Sequence, residues 1–172
     1  AAALPGGRRH LGLAASLEMR LVREPSTLYV VVTENLFGAI LSAEAAVLAG
    51  SLGLLPSARL GATDCGLYEP THGSAPALAG QGVADPYGAI LSMAMLLRHS
   101  LHREDLAAAV EAAVDVCIAE DVLPADLGGT AGTDAVADTV AREGEHHIRP
   151  HLDSATRASS NTTTHYRKAP KG

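Results

Sequence analysis

The chain has 172 residues, 47% of them apolar and only 3% aromatic, and carries a formal net charge of −6. That length fits one domain or a piece of a larger one, and the apolar content is enough for a sizeable core. The acidic balance argues against a nucleic-acid partner. Glu44 interrupts the longest apolar run short of a membrane span. No secretory leader is visible, because Glu18 and Arg20 end the run after Arg8 and Arg9 too early. Two cysteines, Cys65 and Cys117, make no disulfide framework and point to a reducing cytoplasm. With Phe37 the one Phe and no Trp, Ala, Leu and Val must do the packing, which calls for closely approaching helices.

Residues 1–12, with Pro5-Gly6-Gly7 and no periodicity, read as a loose lead-in. From Leu13 to Val22, Leu13, Leu17 and Leu21 share one helical face, and Pro25 ends that helix. Leu28 to Val32 is a β-branched apolar run that reads as a buried strand, expected to receive the helices that follow. The polar turn Thr33-Glu34-Asn35-Leu36-Phe37-Gly38 leads into a helix from Ala39 that Gly50 is placed to end. Such a turn is either a site of chemistry at a strand's carboxyl end or a plain helix cap.

Ser51 to Ala58 is a Gly- and Pro-punctuated connector. Short strands are expected at Leu60 to Ala62 and Leu67-Tyr68, around a turn at Asp64-Cys65-Gly66. Glu69 to Pro76 forms a rigid loop with several hydrogen-bonding groups, continued through Gly82. Asp85 and Pro86 open a helix running from Tyr87 to His99, apolar nearly all round and therefore buried. In the helix from Arg103 to Glu120, Leu106, Val110, Ala113, Val114, Cys117 and Ile118 form one stripe. A Gly-rich link, 128–132, leads to a last short helix around Asp134 to Arg142. Residues 143–172 lose periodicity and read as a disordered polar tail. His146, His147 and His151 could hold a transition metal, but ligands not fixed by a fold favour a plain polar tail. Asn161-Thr162-Thr163 matches a glycosylation acceptor, which carries no weight without a secretory signal.

These residues also carry a family resemblance. Met19-Arg20-Leu21-Val22-Arg23-Glu24-Pro25, Val30 to Gly38 and Gly50-Ser51-Leu52-Gly53-Leu54-Leu55-Pro56-Ser57-Ala58 resemble 3-isopropylmalate dehydrogenase. Gly66 to Pro76 is similar to that family's cofactor loop, and Asp126-Leu127-Gly128-Gly129 to its C-terminal signature. The resemblance is ordered, covers 13–142 and points to the isopropylmalate branch. It implies an α/β fold of strand–helix units with a mostly helical C-terminal part. It also implies NAD-dependent oxidation of a 2-hydroxy acid in leucine biosynthesis, then loss of CO2 assisted by Mg²⁺ or Mn²⁺. On that resemblance Glu69, His72, Gly73, Ser74, Ala75 and Asp85 line the cofactor site. The arrangement is not a Rossmann one, since 80–85 lacks the third glycine of that fingerprint.

The departures from the family pattern are specific. Its three metal-ligand Asp positions are Ala15, Ala39 and Ala43 here, and its ribose-binding Asp is Ala77. Its Asn before the helix-opening Pro is Asp85. Ala39 and Ala43, one turn apart, put two methyl groups on the helix face where a cation expects carboxylates. Glu44 lies about 100° further round. The family's first half, with its substrate-binding arginines and catalytic Tyr, is outside this sequence. The expectation is therefore a family member with no catalytic residues of its own, no metal ligands and weak or lost NAD binding. Its partner would be a second copy or a chain carrying the first half. The alternative is a non-catalytic binding or assembly subunit of a dehydrogenase complex.

Overall fold

The computed structural model describes residues 10–162, with side chains as far as 149. The chain divides into two compact units, Ala1–Gly50 and Ser51–Gly172. Among the described residues no helix is long and apolar enough to cross a membrane.

The first unit is a helical pair. α1 spans Ala14–Arg23 and finishes with Arg20 and Arg23, cations suited to the negative end of a helix dipole. Pro25 opens a 3-10 turn, Pro25–Thr27, which Arg20 holds through a 3.0 Å hydrogen bond from Nη2 to Thr27 Oγ1. α2 spans Asn35–Ala49 and packs on α1. Glu34 caps it, its carboxylate accepting from Phe37 N at 3.0 Å and Leu36 N at 3.3 Å. Gly50 closes it at φ 100, a value that only glycine adopts without strain. Of the two readings of the polar turn, the cap is the one this geometry displays.

The expected strand at 28–32 is not formed. The segment has no regular structure, bends at Tyr29 and pairs with nothing among the described residues, and Tyr29 and Val32 are 94% and 92% exposed. The residue types suit a strand, but a strand exists only through its ladder, and no partner strand lies beside it. The helices expected to pack on it bury little there: Leu41 and Ala46 are the buried residues of α2.

The second unit begins with a hairpin. β1 (Pro56–Leu60) and β2 (Gly66–Pro70) pair antiparallel, with Ala58 opposite Tyr68 and Leu60 opposite Gly66. The first strand therefore lies earlier than the sequence suggested, and 61–65 is the turn. Gly61 N–H closes that turn on Cys65 O at 3.2 Å, which ends the ladder at Leu60. Ser100 Oγ donates to the Asp64 carbonyl, so at 2.7 Å Tyr68 must donate to Ser100. This relay fastens the hairpin to the end of α3 (Tyr87–His99).

The N-cap of α3 is Pro86 rather than the expected Asp85, because the first intrahelical bond runs from Ile90 N to Pro86 O; Asp85 stands one residue earlier, its Oδ1 accepting from Tyr87 N at 2.8 Å. At Gly88 a Cβ would stand 2.6 Å from Gly53 O and 3.1 Å from Leu55 O, so the chain ahead of β1 rides directly on the helix backbone. α4 (Glu104–Ala119) buries Ala107, Ala109, Val110, Ala113, Val114 and Cys117, while Leu106 and Ile118 are only half-buried. Arg98 clamps α3 to α4, bonding Glu104 Oε2 at 2.7 Å and Glu111 Oε1 at 2.6 Å. Those two carboxylates hold its guanidinium far above its ordinary range and are themselves pulled down by it.

α5 (Thr133–Thr162) supplies Val136 and Val140 to a core shared with Tyr87, Ala113, Val114 and Cys117. Instead of stopping near Arg142 it continues through much of the segment expected to be unstructured, to Thr162. Residues 163–172 and the lead-in at 1–9 lie outside the described residues. Once a helix is nucleated each further residue other than proline adds a hydrogen bond, and α5 runs through Pro150, which has no backbone N–H to give. The link into α5 is tight: Gly128 has φ 85, and a Cβ on Gly129 would stand 1.9 Å from Leu123 O.

Two stability outcomes follow from this packing. Gly129→Ala forces backbone against backbone, and urea unfolding of the variant is expected to show a loss of at least about 1–3 kcal/mol. Tyr87, fully buried, donates from its hydroxyl to Val122 O at 2.8 Å. Tyr87→Phe leaves that carbonyl unpaired, so its thermal midpoint is expected to fall by the equivalent of about 1–3 kcal/mol. An unchanged midpoint would show that water satisfies Val122.

Candidate functional site

The loop after β2 is held at its start and its end and open between. Thr71 N–H bonds Leu55 O at 3.0 Å, continuing the hairpin ladder for one more step. At the far end Thr133, the first residue of α5, bonds Gly82 O through its N–H at 2.9 Å and Ala84 O through its hydroxyl at 2.6 Å. In between, Ala75 adopts a left-handed φ of 41 ahead of the 3-10 turn Pro76–Leu78. Gln81 Nε2 donates to Ala77 O at 2.6 Å. A Cβ on Gly73, Gly80 or Gly82 would meet nothing within 4 Å, so a ligand could approach the backbone there.

The residues singled out from the sequence fall into distinct surroundings. Glu69 lies on β2 and faces Arg59 across the hairpin at 3.6 Å, an exposed pair of little energetic weight. His72 is half-buried, and its Nδ1 carries the proton, donating to the Gly73 carbonyl at 2.8 Å. Gly73, Ser74 and Ala75 are exposed on the loop. Asp85 sits beneath it at the start of α3, close enough to His72 to feel its charge.

Asp85 has a second neighbour that sequence reasoning missed. Asp126, in the 3-10 turn Ala125–Leu127, takes a short hydrogen bond from Ser51 Oγ. Ser51 Oγ in turn accepts from Gly53 N at 3.0 Å. Burial, then the charge of Asp126, push the Asp85 carboxyl up to about 6. Tyr87 N–H and, more weakly, His72 pull it the other way. Asp126 and Ser51 each stand in a family motif quoted above. Nothing local in either motif announces that the two meet.

Ala15 lies on α1 and Ala39 and Ala43 on α2, all three exposed and all in the first unit, whereas the loop belongs to the second. Ser42 Oγ turns back to bond Ala39 O at 3.1 Å, and Glu34 is engaged as the cap of α2. Among the described residues no three His, Cys, Asp or Glu gather to hold a metal ion. Methyl groups donate no electron pair, so these three positions do not fit a divalent cation. His146 and His147 lie on α5 with ring centroids 5.9 Å apart.

The isocitrate/isopropylmalate dehydrogenase profile matches residues 11–140. The 3-isopropylmalate dehydrogenase of Anaeromyxobacter dehalogenans is 57% identical over 130 residues, covering 76% of this chain and 37% of that protein. That of Lactococcus lactis subsp. lactis is 48% identical over 138 residues, 80% of this chain and 40% of that protein. Among solved structures, isocitrate dehydrogenase from Methylococcus capsulatus superposes with a TM-score of 0.72 at 37% identity, over 76% of this chain and 39% of that one. A β-decarboxylating dehydrogenase from Thermococcus kodakarensis gives a TM-score of 0.69 at 44% identity, over 77% of this chain and 39% of that one. The chain thus spans 37–40% of the length of these curated relatives. Its mostly helical fold with a small sheet is part of the fold of those enzymes, and the chain belongs to the isocitrate/isopropylmalate dehydrogenase family.

Proposed function

We propose that this chain is the C-terminal segment of a 3-isopropylmalate dehydrogenase, a cytoplasmic enzyme of leucine biosynthesis, and that its metal site is blind. The observation that carries the family half of this reading is 57% identity to such an enzyme over 130 residues. The blind site rests on Ala15, Ala39 and Ala43, which the family pattern would fill with carboxylates. The residues at these positions do not fit a metal, since a methyl group offers no electron pair.

The chain's own contribution is to nicotinamide cofactor binding. The loop 69–85 offers open backbone at Gly73 and a ring nitrogen at His72, with Ser74 and Ala75 beside them. This suits the adenosine half of NAD, whose nicotinamide end supplies the hydride acceptor when bound. The weak point is Ala77, which has no side-chain acceptor for a ribose hydroxyl, and a hydrogen bond to a charged group is worth about 1.5–3 kcal/mol. The remaining substrate groups would come from the portion of the fold outside this segment, on the same chain or a partner.

A second reading, a non-catalytic binding or assembly subunit, draws on the apolar residues left exposed in the first unit. Leu36, Ile40 and Val47 of α2, with Tyr29 and Val32 ahead of it, form a surface suited to another protein chain. A homo-oligomer or a complex with a chain carrying the first half would cover it. Sedimentation at rising concentration distinguishes a self-associating chain from one that waits for a different partner.

Two outcomes test the main reading. Calorimetric titration with NAD is expected to give weak or undetectable binding, and Ala77→Asp to tighten it by about ten- to a hundredfold. Mn²⁺ is expected not to bind at the α2 positions once His146, His147 and His151 are replaced by Ala. In that background Ala39→Asp with Ala43→Asp and Ala15→Asp should create binding. NADH formation from isopropylmalate and Mn²⁺ by the unmodified chain alone would overturn the blind-site reading.

A further inference from the structure

Asp85 and Asp126 converge with no hydrogen-bond donor between them. Asp85 Oδ1 is satisfied by Tyr87 N–H at 2.8 Å, but Oδ2 is buried without any hydrogen-bond partner. A Cβ placed on Gly53 would stand 2.9 Å from this Oδ2 and 2.7 Å from Asp126 Oδ2, so the two oxygens converge on one point beside the Gly53 backbone. The nearby donors are all committed. The Ser51 hydroxyl donates to Asp126, Gly53 N–H goes to Ser51, Tyr87 N–H goes to Oδ1, and His72 Nδ1–H goes to Gly73 O. Asp126 is itself exposed, but it faces a buried oxygen of Asp85; two charged carboxylates so placed repel, and neither can donate to the other. One proton removes the repulsion and gives Oδ2 its partner.

We propose that Asp85 and Asp126 share a single proton, which makes the junction of segments 51–53, 85–88 and 126–129 a pH-sensitive clasp, closed in mild acid and strained above neutrality. The groups facing Asp85 are Asp126 from the turn before the Gly-rich link, His72 from the loop after β2, and the N–H of Tyr87 from α3. Of these His72 is the one that can carry positive charge, and it opposes protonation. Burial and Asp126 outweigh it and hold the Asp85 carboxyl near 6, against an ordinary 3.8. The folded state therefore binds the proton more tightly than the unfolded chain. This contribution to stability is full below about 4 and is lost as pH rises through about 6. Asp85 ends the open loop just ahead of α3, so deprotonation sets it against Asp126 at that junction while leaving its bond from Tyr87 N–H in place. The clasp does not depend on what the loop binds.

The test is thermal unfolding of the full chain between pH 4.5 and 7.5, beside Asp85→Asn and Asp126→Asn, with a carboxyl-carbon NMR titration of Asp85 in the unmodified chain. Asparagine at 85 keeps an acceptor for Tyr87 and supplies a permanent donor toward Asp126. Asp85→Asn should therefore melt above the unmodified chain at pH 7.5, by about 4 °C or more. The difference between the two should shrink toward zero or reverse at pH 4.5. The Asp85 carbon should titrate near pH 6, and in Asp126→Asn its midpoint should fall. A midpoint below pH 4 in the unmodified chain, or Asp85→Asn melting lower at pH 7.5, overturns the proposal. So does stabilisation of the unmodified chain, but not of Asp85→Asn, by millimolar Mg²⁺ at pH 7.5, which would put a cation rather than a proton between the carboxylates. If either variant fails to fold, the titration of the unmodified chain decides.

Discussion

The second unit depends on one close approach, the passage of the chain at Gly53–Leu55 over the first turn of α3. At Gly88 only a hydrogen fits beneath the Gly53 and Leu55 carbonyls. That contact sets the height of the hairpin above the helix, because β1 starts directly after it. It also fixes the site. With Gly53 pressed on α3, Ser51 is delivered to Asp126 and Gly53 itself stands against the carboxyl of Asp85. The loop carrying His72 and Ser74 then has its two ends determined, one by the hairpin and one by the start of α3. A second approach of the same kind, Gly129 beneath Leu123, fixes the entry to α5. In a chain with one Phe and no Trp, backbone proximity replaces bulky side chains as the means of filling space.

What was legible in the sequence was local. α3 and α4 could be placed to within a residue or so, because an Asp, a Pro and a continuous apolar pattern act over one or two turns. Glu34 and Gly50 bracket α2 for the same reason. What was not legible needed a distant partner. Residues 28–32 have the composition of a strand, but strands are stabilised by neighbours, and the described residues provide none. The start of β1 was misplaced because its register is set by how 61–65 turns, not by the strand's own residues. The helix beyond Arg142 was missed because a polar segment without apolar periodicity looks the same whether helical or not. For the site, the loop residues could be listed from a resemblance, but the Asp85–Asp126–Ser51 contact joins three motifs far apart in the chain, and only the fold brings them together.

The first unit shows what happens to family elements with strong local signals and few tertiary contacts. α2 is capped at both ends and forms, although only Leu41 and Ala46 are buried along it. The segment ahead of it has equal hydrophobicity but stays unpaired. Helical hydrogen bonds are internal to the segment, whereas sheet hydrogen bonds are not. Where partners are lacking, the helix persists and the strand does not.

The same asymmetry bears on the alanines. Three carboxylates around an empty metal site repel one another and stabilise nothing until a cation arrives. Asp is also a poorer helix residue than Ala, by about 0.5–0.7 kcal/mol per interior position. Alanine at 39 and 43 therefore favours α2 and brings no such repulsion, and it offers no side-chain oxygen to a cation. The glycines at 50, 53, 88 and 129 are in the opposite position: each meets a backbone or steric demand of the fold whether or not any ligand binds. Charge acts on the fold in other places: Arg98 ties α3 to α4 through Glu104 and Glu111, and Asp85 and Asp126 meet where 51–53, 85–88 and 126–129 come together.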